Sequence, residues 1–229
     1  MAPSSRSVVV LPGLDGTGDL LQDFCNAAPD GFDCEVIRYP TDEPLDYLAL
    51  EAYVASRLPP DRSLILVGES FSGPIALRLA VRFPDRVASV VLCNSFVLPP
   101  RAPLLRFAAR EWLFRMPVPE RILAALMLAP LATPALTSAL AAAIRRVRPA
   151  VLALRLRELL RVDTVDSLRR ILCPIHYLRG TLDRLVTDRS LRVITSAAPS
   201  VRVSRIKAPH ALLQTSPRDA WAALTSASS

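Results

Sequence analysis

Residues 64 to 80, LILVGESFSGPIALRLA, constrain this chain more than any other stretch. Leu64 to Val67 is a short apolar run with the character of a buried strand, and Pro74 to Phe83 has helical period. Between the two sits Ser70, flanked by Glu69 and Phe71, with Gly68 and Ser72 two positions to either side. A serine that ends a buried strand in so tight a turn takes a strained backbone conformation that lifts its hydroxyl out of the sheet, and the residues two positions away must be small. The helix that follows points its positive end at the same spot, where an oxyanion would be held.

The rest of the chain repeats that rhythm. β-Branched runs bounded by turn residues occur at Val8 to Leu11, Cys34 to Tyr39, Leu64 to Val67, Ala88 to Cys93, Ile175 to Leu178 and Val201 to Ile206. Segments of helical period, Leu20 to Ala27, Leu45 to Leu58 and Pro74 to Phe83, lie between them, and DTVDSLRR at 163 to 170 reads as a helix with Asp163 as N-cap. Alternating strand and helix predicts an α/β fold, a mostly parallel sheet of about six strands covered by helices on both faces. The alternation lapses from about Phe96 to Arg161, where proline-punctuated helical segments follow one another. The expected organisation is a core of residues 1–95 and 162–229 with a helical cap, 96–161, inserted after the fourth strand. Such a cap would roof the carboxyl ends of the strands, where open α/β sheets bind ligands.

Composition removes several classes of function. With 229 residues, 51% of them hydrophobic, one domain with a sizeable core is expected. The net charge of +7 is carried almost wholly by arginine, Lys207 being the only lysine, and the arginines are scattered without interleaved aromatics. No nucleic-acid partner is therefore expected, although weak attraction to anionic lipid or acidic substrates is compatible with the charge. Cys25, Cys34, Cys93 and Cys173 form no C-x-x-C and no metal-like cluster, so free buried thiols in a reducing, cytoplasmic setting are expected. The opening apolar run is too short for a secretory signal and is better used as a strand. The uncharged segment Ile122 to Ile144 has the length of a membrane span, but Pro130, Pro134 and three hydroxyl residues favour packed cap helices, with contact at a membrane surface as the alternative.

The turn at Ser70 resembles the nucleophile elbow of the serine-type α/β-hydrolase superfamily, with G-x-S-x-G written as Gly68-Glu69-Ser70-Phe71-Ser72. Ser72 departs from the usual glycine and is small enough to be accepted. LPGLDGTG together with LVGESFSG is similar to small bacterial esterase-like hydrolases and to the hydrolase part of plant phytyl ester synthases. The H-x-x-x-x-D of the latter's acyltransferase segment is missing, since Thr181 and Thr215 stand five residues beyond the two histidines.

A serine nucleophile needs a base, and the chain offers only His176 and His210. His176 lies within the apolar run PIHYL and reads as a core histidine. His210 follows the last strand, where the resemblance places the catalytic histidine. The same resemblance assigns the acid to Asp183 in Gly180 to Val186, with Asp188 as competitor; the alternative position after the fourth strand, Cys93-Asn94-Ser95, carries no carboxylate. The order Ser70, Asp183, His210 matches that of the superfamily. The oxyanion donors are expected to be the N–H of Phe71, directly after the nucleophile, and of Leu14, in the glycine-rich loop after the first strand.

The expected function is hydrolysis of a small-molecule carboxylic ester with an apolar acyl or alcohol part, through an acyl-enzyme and without metal or organic cofactor. Acyl transfer or thioester cleavage on the same triad, and a non-catalytic ligand-binding protein of this fold, are the alternatives. An alanine- and leucine-rich roof containing Trp112, Phe114 and Met127 suggests the apolar substrate.

Overall fold

The computed structural model describes residues 6–60, 63–100, 111–116 and 119–226. Six parallel strands, β1 (Arg6–Leu11), β2 (Phe32–Val36), β3 (Leu64–Glu69), β4 (Val87–Cys93), β5 (Ile175–Gly180) and β6 (Arg202–Ile206), form one sheet in the order β2-β1-β3-β4-β5-β6. The α/β fold and the strand number agree with the sequence reading. Order reverses between β1 and β3, so the carboxyl ends of these central strands flank a crevice of the kind where open α/β sheets bind ligands.

Successive side chains of a strand point to opposite faces, and the sheet accordingly carries two apolar layers. Val9, Leu11, Leu64 and Leu66 pack with α2 (Tyr47–Ala55) and α3 (Gly73–Arg82) on one face. Val8, Val10, Ile65 and Val67 pack on the other with Phe24 of α1 (Gln22–Asn26) and with Leu212 and Trp221. Asp46 caps α2 by accepting from the N–H of Ala49 at 2.8 Å, and Pro74 occupies the first turn of α3, where a missing N–H costs nothing.

Several elements differ from expectation at their ends. The second strand lies at Phe32–Val36, ahead of the predicted 34–39: the Ile37 N–H still bonds to the Val10 carbonyl at 3.1 Å, but the chain then leaves β1, and the N–H of Tyr39 bonds to the carbonyl of Gly16 at 2.8 Å instead of joining the ladder. The helix predicted over 20–27 opens as a 3-10 turn, Asp19–Leu21, before α1 begins. Asp163 does accept a bond from the Val165 N–H at 3.1 Å, but the helix it precedes has Thr164 at its N-cap. Only Cys93 of the four cysteines is buried; Cys25, Cys34 and Cys173 are half-buried.

Between β4 and β5 the described residues form helices and no strand: α4 (Glu111–Phe114), α5 (Glu120–Leu123), a π-helical turn (Ala124–Leu128), α6 (Pro134–Arg145), α7 (Pro149–Leu159) and α8 (Val165–Arg170). Residues 101–110 and 117–118 of the predicted insertion lie outside the described set. The uncharged stretch 122–144 is divided among three of these elements, and among the described residues no helix is long and apolar enough to cross a membrane.

Candidate active site

The turn after β3 has the strain its sequence implies. Ser70 has φ 46°, a left-handed value that costs a residue with a side chain about 1 kcal/mol or more. Gly68 is required by space: a Cβ there would stand 2.7 Å from Gly73 Cα and 2.9 Å from the Ser72 carbonyl oxygen, both backbone atoms. Ser95 Oγ donates to the Ser70 carbonyl at 2.6 Å and fixes the elbow from below.

This turn brings Ser70 to His210. His210 Nε2 lies 2.9 Å from Ser70 Oγ, and His210 Nδ1 lies 2.9 Å from Asp183 Oδ2. A carboxylate only accepts, so Nδ1 carries the proton and Nε2 is left to accept from the serine hydroxyl. The other oxygen of Asp183, Oδ1, accepts from the N–H groups of Leu185 (2.8 Å) and Val186 (3.1 Å), which hold the carboxylate in place. Asp188 is elsewhere: its carboxylate is half exposed and receives Arg179 Nε at 2.8 Å, which with Arg205 keeps it below the usual carboxylate range. His176 is buried in β5 with Nε2 2.9 Å from Ser204 Oγ, and burial lowers its pKa.

The position after β4 that carries no carboxylate has a different duty. Asn94, fully buried with φ 42°, donates through Nδ2 to the carbonyls of Pro209 (3.0 Å) and His210 (2.9 Å) and accepts from the Gly180 N–H at 2.7 Å. It ties the histidine loop to the strand that precedes Asp183. Sequence reading passed over Asn94, and a lone asparagine at a strand end carries no signal by itself.

The loop after β1 is held on every side. Ser72 Oγ donates to the Pro12 carbonyl, so the Tyr39 hydroxyl, 2.6 Å away, donates to Ser72. The serine that replaces glycine in the elbow is thus a fully buried tie to this loop. Glu69 Oε2 accepts from the Gly13 N–H at 3.2 Å, and Glu69 Oε1 from Gln214 Nε2 at 2.7 Å. Burial raises the Glu69 pKa to about 7, against which the Gln214 bond works. The Gly13 carbonyl accepts from the Gly16 N–H at 3.0 Å. Arg155 of α7 donates to the carbonyls of Leu14 (3.1 Å) and Asp15 (2.6 Å) with Nη1 and to Pro40 (2.7 Å) with Nη2. Glu69, Ser72 and Arg155 contribute to the site and went unrecognised as contributors; the departure of Ser72 from the elbow pattern was the one visible hint.

A cavity of about 260 Å³ opens above Ser70. Gly13, Leu14, Glu69, Ser70, His210 and Gln214 line its polar end, and Phe114, Met127, Leu140 and Leu152 are among the many apolar residues of the remainder. Phe71 is not in the lining: its ring is buried and stacked on Tyr47, centroids 4.6 Å apart. Trp112, expected in the roof, is 56% exposed instead. Among the described residues no three His, Cys, Asp or Glu side chains are grouped as metal ligands would be.

Residues 4–224 match the model of a family described as the alpha/beta hydrolase family. Among solved structures, the enol-lactonase from Burkholderia xenovorans is similar over 98% of this chain and 90% of its own, at 16% identity and TM-score 0.81. A thermophilic esterase from Thermogutta terrifontis is similar over 97% and 89%, at 18% identity and TM-score 0.80. A bromoperoxidase from Bacillus anthracis is similar over 96% and 91%, at 16% identity and TM-score 0.82. These likenesses concern the fold. A comparison with curated protein sequences gives no match.

Proposed function

Since the chain belongs to the alpha/beta hydrolase family, we propose that it is a serine carboxylesterase acting on esters with an apolar acyl or alcohol part. One observation carries this reading: Ser70, His210 and Asp183 stand in a hydrogen-bonded row, 2.9 Å at each step, at the polar end of an otherwise apolar cavity. In the proposed reaction Ser70 Oγ attacks the ester carbonyl as His210 Nε2 takes its proton. Asp183 holds the imidazole tautomer and stabilises the imidazolium. The tetrahedral oxyanion is held by the N–H groups of Phe71 and Leu14. Collapse expels the alcohol, protonated by His210; water activated by the same histidine then releases the acid.

The role given to Leu14 has geometric support. N–H and C=O of a trans peptide point in opposite directions, and the Gly13 carbonyl is engaged by the Gly16 N–H, which leaves the Leu14 N–H facing away from that turn. Leu14 also lines the cavity beside Ser70. The helices between β4 and β5 serve in this reading as the cap, since Phe114, Met127, Leu140 and Leu152 supply the apolar wall. Exposed Trp112, Ile122 and Leu126 on the same helices, and Met116 just after α4, support a weak contact of the cap with a membrane surface, in an enzyme we place in the cytoplasm.

The test is intact mass after a fluorophosphonate probe, on wild type and Ser70→Ala, with turnover of p-nitrophenyl esters from short to long acyl chains. A single adduct and turnover, both lost in the variant, are expected. A folded wild type that neither labels nor turns over any ester overturns the proposal. Added alcohol that diverts the acyl group from water would move the assignment from hydrolysis to acyl transfer.

A further inference from the structure

We propose that Arg155, on helix α7, is a positioning residue that sets the oxyanion loop for catalysis. The inference rests on the serine-esterase reading above and adds a residue that acts through the main chain. Arg155 is fully buried, and its hydrogen bonds go to three main-chain carbonyls, two of them consecutive in the loop and the third, Pro40, beyond β2. Its guanidinium also lies 5.5 Å from the centre of the Tyr39 ring, whose hydroxyl supports Ser72 and through it the Pro12 carbonyl.

Burying a guanidinium against neutral carbonyls is costly, and an aliphatic side chain would fill the same space. What the guanidinium adds is direction. Nη1 fixes the Leu14 and Asp15 carbonyls to one side while Nη2 in the same plane holds Pro40, and each fixed loop peptide sends its N–H to the other side. The Leu14 N–H lies immediately before the first of these planes, between the Gly13 to Gly16 turn and the Arg155 fork. The loop also has no slack toward Arg155: a Cβ on Gly16 would meet Nη1 at 2.5 Å and Tyr39 Cβ at 2.9 Å. An oxyanion donor is effective only when preorganised, so a helix outside the triad contributes to the chemical step by holding the loop.

The experiment compares wild type, Arg155→Met and Arg155→Lys on a p-nitrophenyl ester and on its thionoester, whose sulfur accepts hydrogen bonds poorly, with thermal midpoints measured alongside. Arg155→Met is expected to lose about 100-fold in kcat, the scale of one oxyanion donor. KM should move by less than about threefold, as for an interaction made in the transition state. The preference for oxoester over thionoester should fall in step with kcat, and Arg155→Lys, charged but without the fork, should be intermediate. A kcat loss with an unchanged oxo-to-thiono preference would mark Arg155 as structural only and overturn the proposal, as would wild-type kcat in either variant. If Arg155→Met does not fold, Arg155→Lys decides by the same ratio. A wild type inert to esters and to fluorophosphonate removes the esterase reading and this inference with it, whereas an active wild type with indifferent Arg155 variants removes the inference alone.

A separate observation carries a second proposal: we infer that Cys25 and Cys34 form a reversible disulfide. Their sulfurs lie 2.7 Å apart across the packing of α1 on β2, and both residues are half-buried. Either sulfur can donate to the other, so whichever accepts is the thiol held ready to attack, and Cys25 in that state gives the following exchange. With oxidised glutathione as oxidant, the Cys25 thiolate displaces one glutathione thiol, and Cys34 Sγ then displaces the second from Cys25. Two electrons and two protons pass to glutathione, leaving a protein about 2 Da lighter. Treatment with oxidised glutathione followed by alkylation and peptide mapping should leave Cys25 and Cys34 unalkylated and linked, with Cys93 and Cys173 unlinked. A persisting glutathione adduct on Cys25, or alkylation of both thiols, overturns it; Cys34→Ser should retain the adduct.

Discussion

Replacing Glu69 by glutamine should change how the stability of this protein depends on pH. Glu69 is buried beside Ser70 and its pKa is raised from 4.5 to about 7, chiefly because burial disfavours the charged form. Between those two values the folded state holds a proton that the unfolded state has lost, so stability falls as pH rises through the window. The contribution is fully present below 4.5 and fully lost above about 7. At about 1.4 kcal/mol per pH unit, the difference of roughly two and a half units amounts to about 3 kcal/mol. Glutamine carries no such titration. It still accepts from the Gly13 N–H, and Gln214, whose Oε1 has no partner among the described residues, turns that oxygen toward the new amide. Urea unfolding of wild type and Glu69→Gln from about pH 4.5 to about pH 8 isolates the effect, because every other titrating group is common to both chains. The variant should gain about 3 kcal/mol on the wild type across this range. Two stability curves that run parallel would refute the reasoning, and with it the buried, costly charge at Glu69.

Relief of the strained elbow gives a second expectation: Ser70→Gly should abolish turnover while raising stability by about 1 kcal/mol, measured by denaturant unfolding, since glycine adopts φ 46° freely. Asn94→Ala deletes three buried hydrogen bonds and should cost about 3 kcal/mol, with kcat falling because the His210 loop loses its anchor; unchanged kcat at full folding would contradict that role. Gly68→Ala forces a methyl onto backbone atoms of Ser72 and Gly73 and should destabilise by about 2–3 kcal/mol in the same assay. Leu140→Trp, in the cavity wall, should shift the acyl-chain profile of p-nitrophenyl esters toward shorter chains, and an unaltered profile would place the acyl group elsewhere.

The sequence by itself determined the layered architecture and the strand-to-helix turn at Ser70. Both follow from local physics: apolar runs with β-branched residues bury as strands, and a serine with a small residue two positions to either side marks a turn that nothing larger fits. The chain has two histidines, so the candidate base was legible by elimination once His176 fell within an apolar strand. Strand and helix ends were less legible, as beyond Ile37, where the chain leaves β1 and Tyr39 meets the loop that follows it.

Only the tertiary structure decided what surrounds Ser70, His210 and Asp183. Arg155 is one arginine among many, and nothing in its neighbourhood of the sequence distinguishes it from its surface counterparts Arg145 and Arg146. Its role depends on α7 bringing it against carbonyls more than a hundred residues away. Ser72 looked like a tolerated substitution until folding placed Pro12 and Tyr39 beside its hydroxyl. Glu69 is a carboxylate between a glycine and a serine in the sequence, and its raised pKa exists only because the assembled sheet and loops withhold water from it. Periodicity and turn chemistry are local and can be read along a chain. Hydrogen bonds between distant segments, and the dielectric around a buried charge, are properties of the assembled fold and arise only when the segments meet.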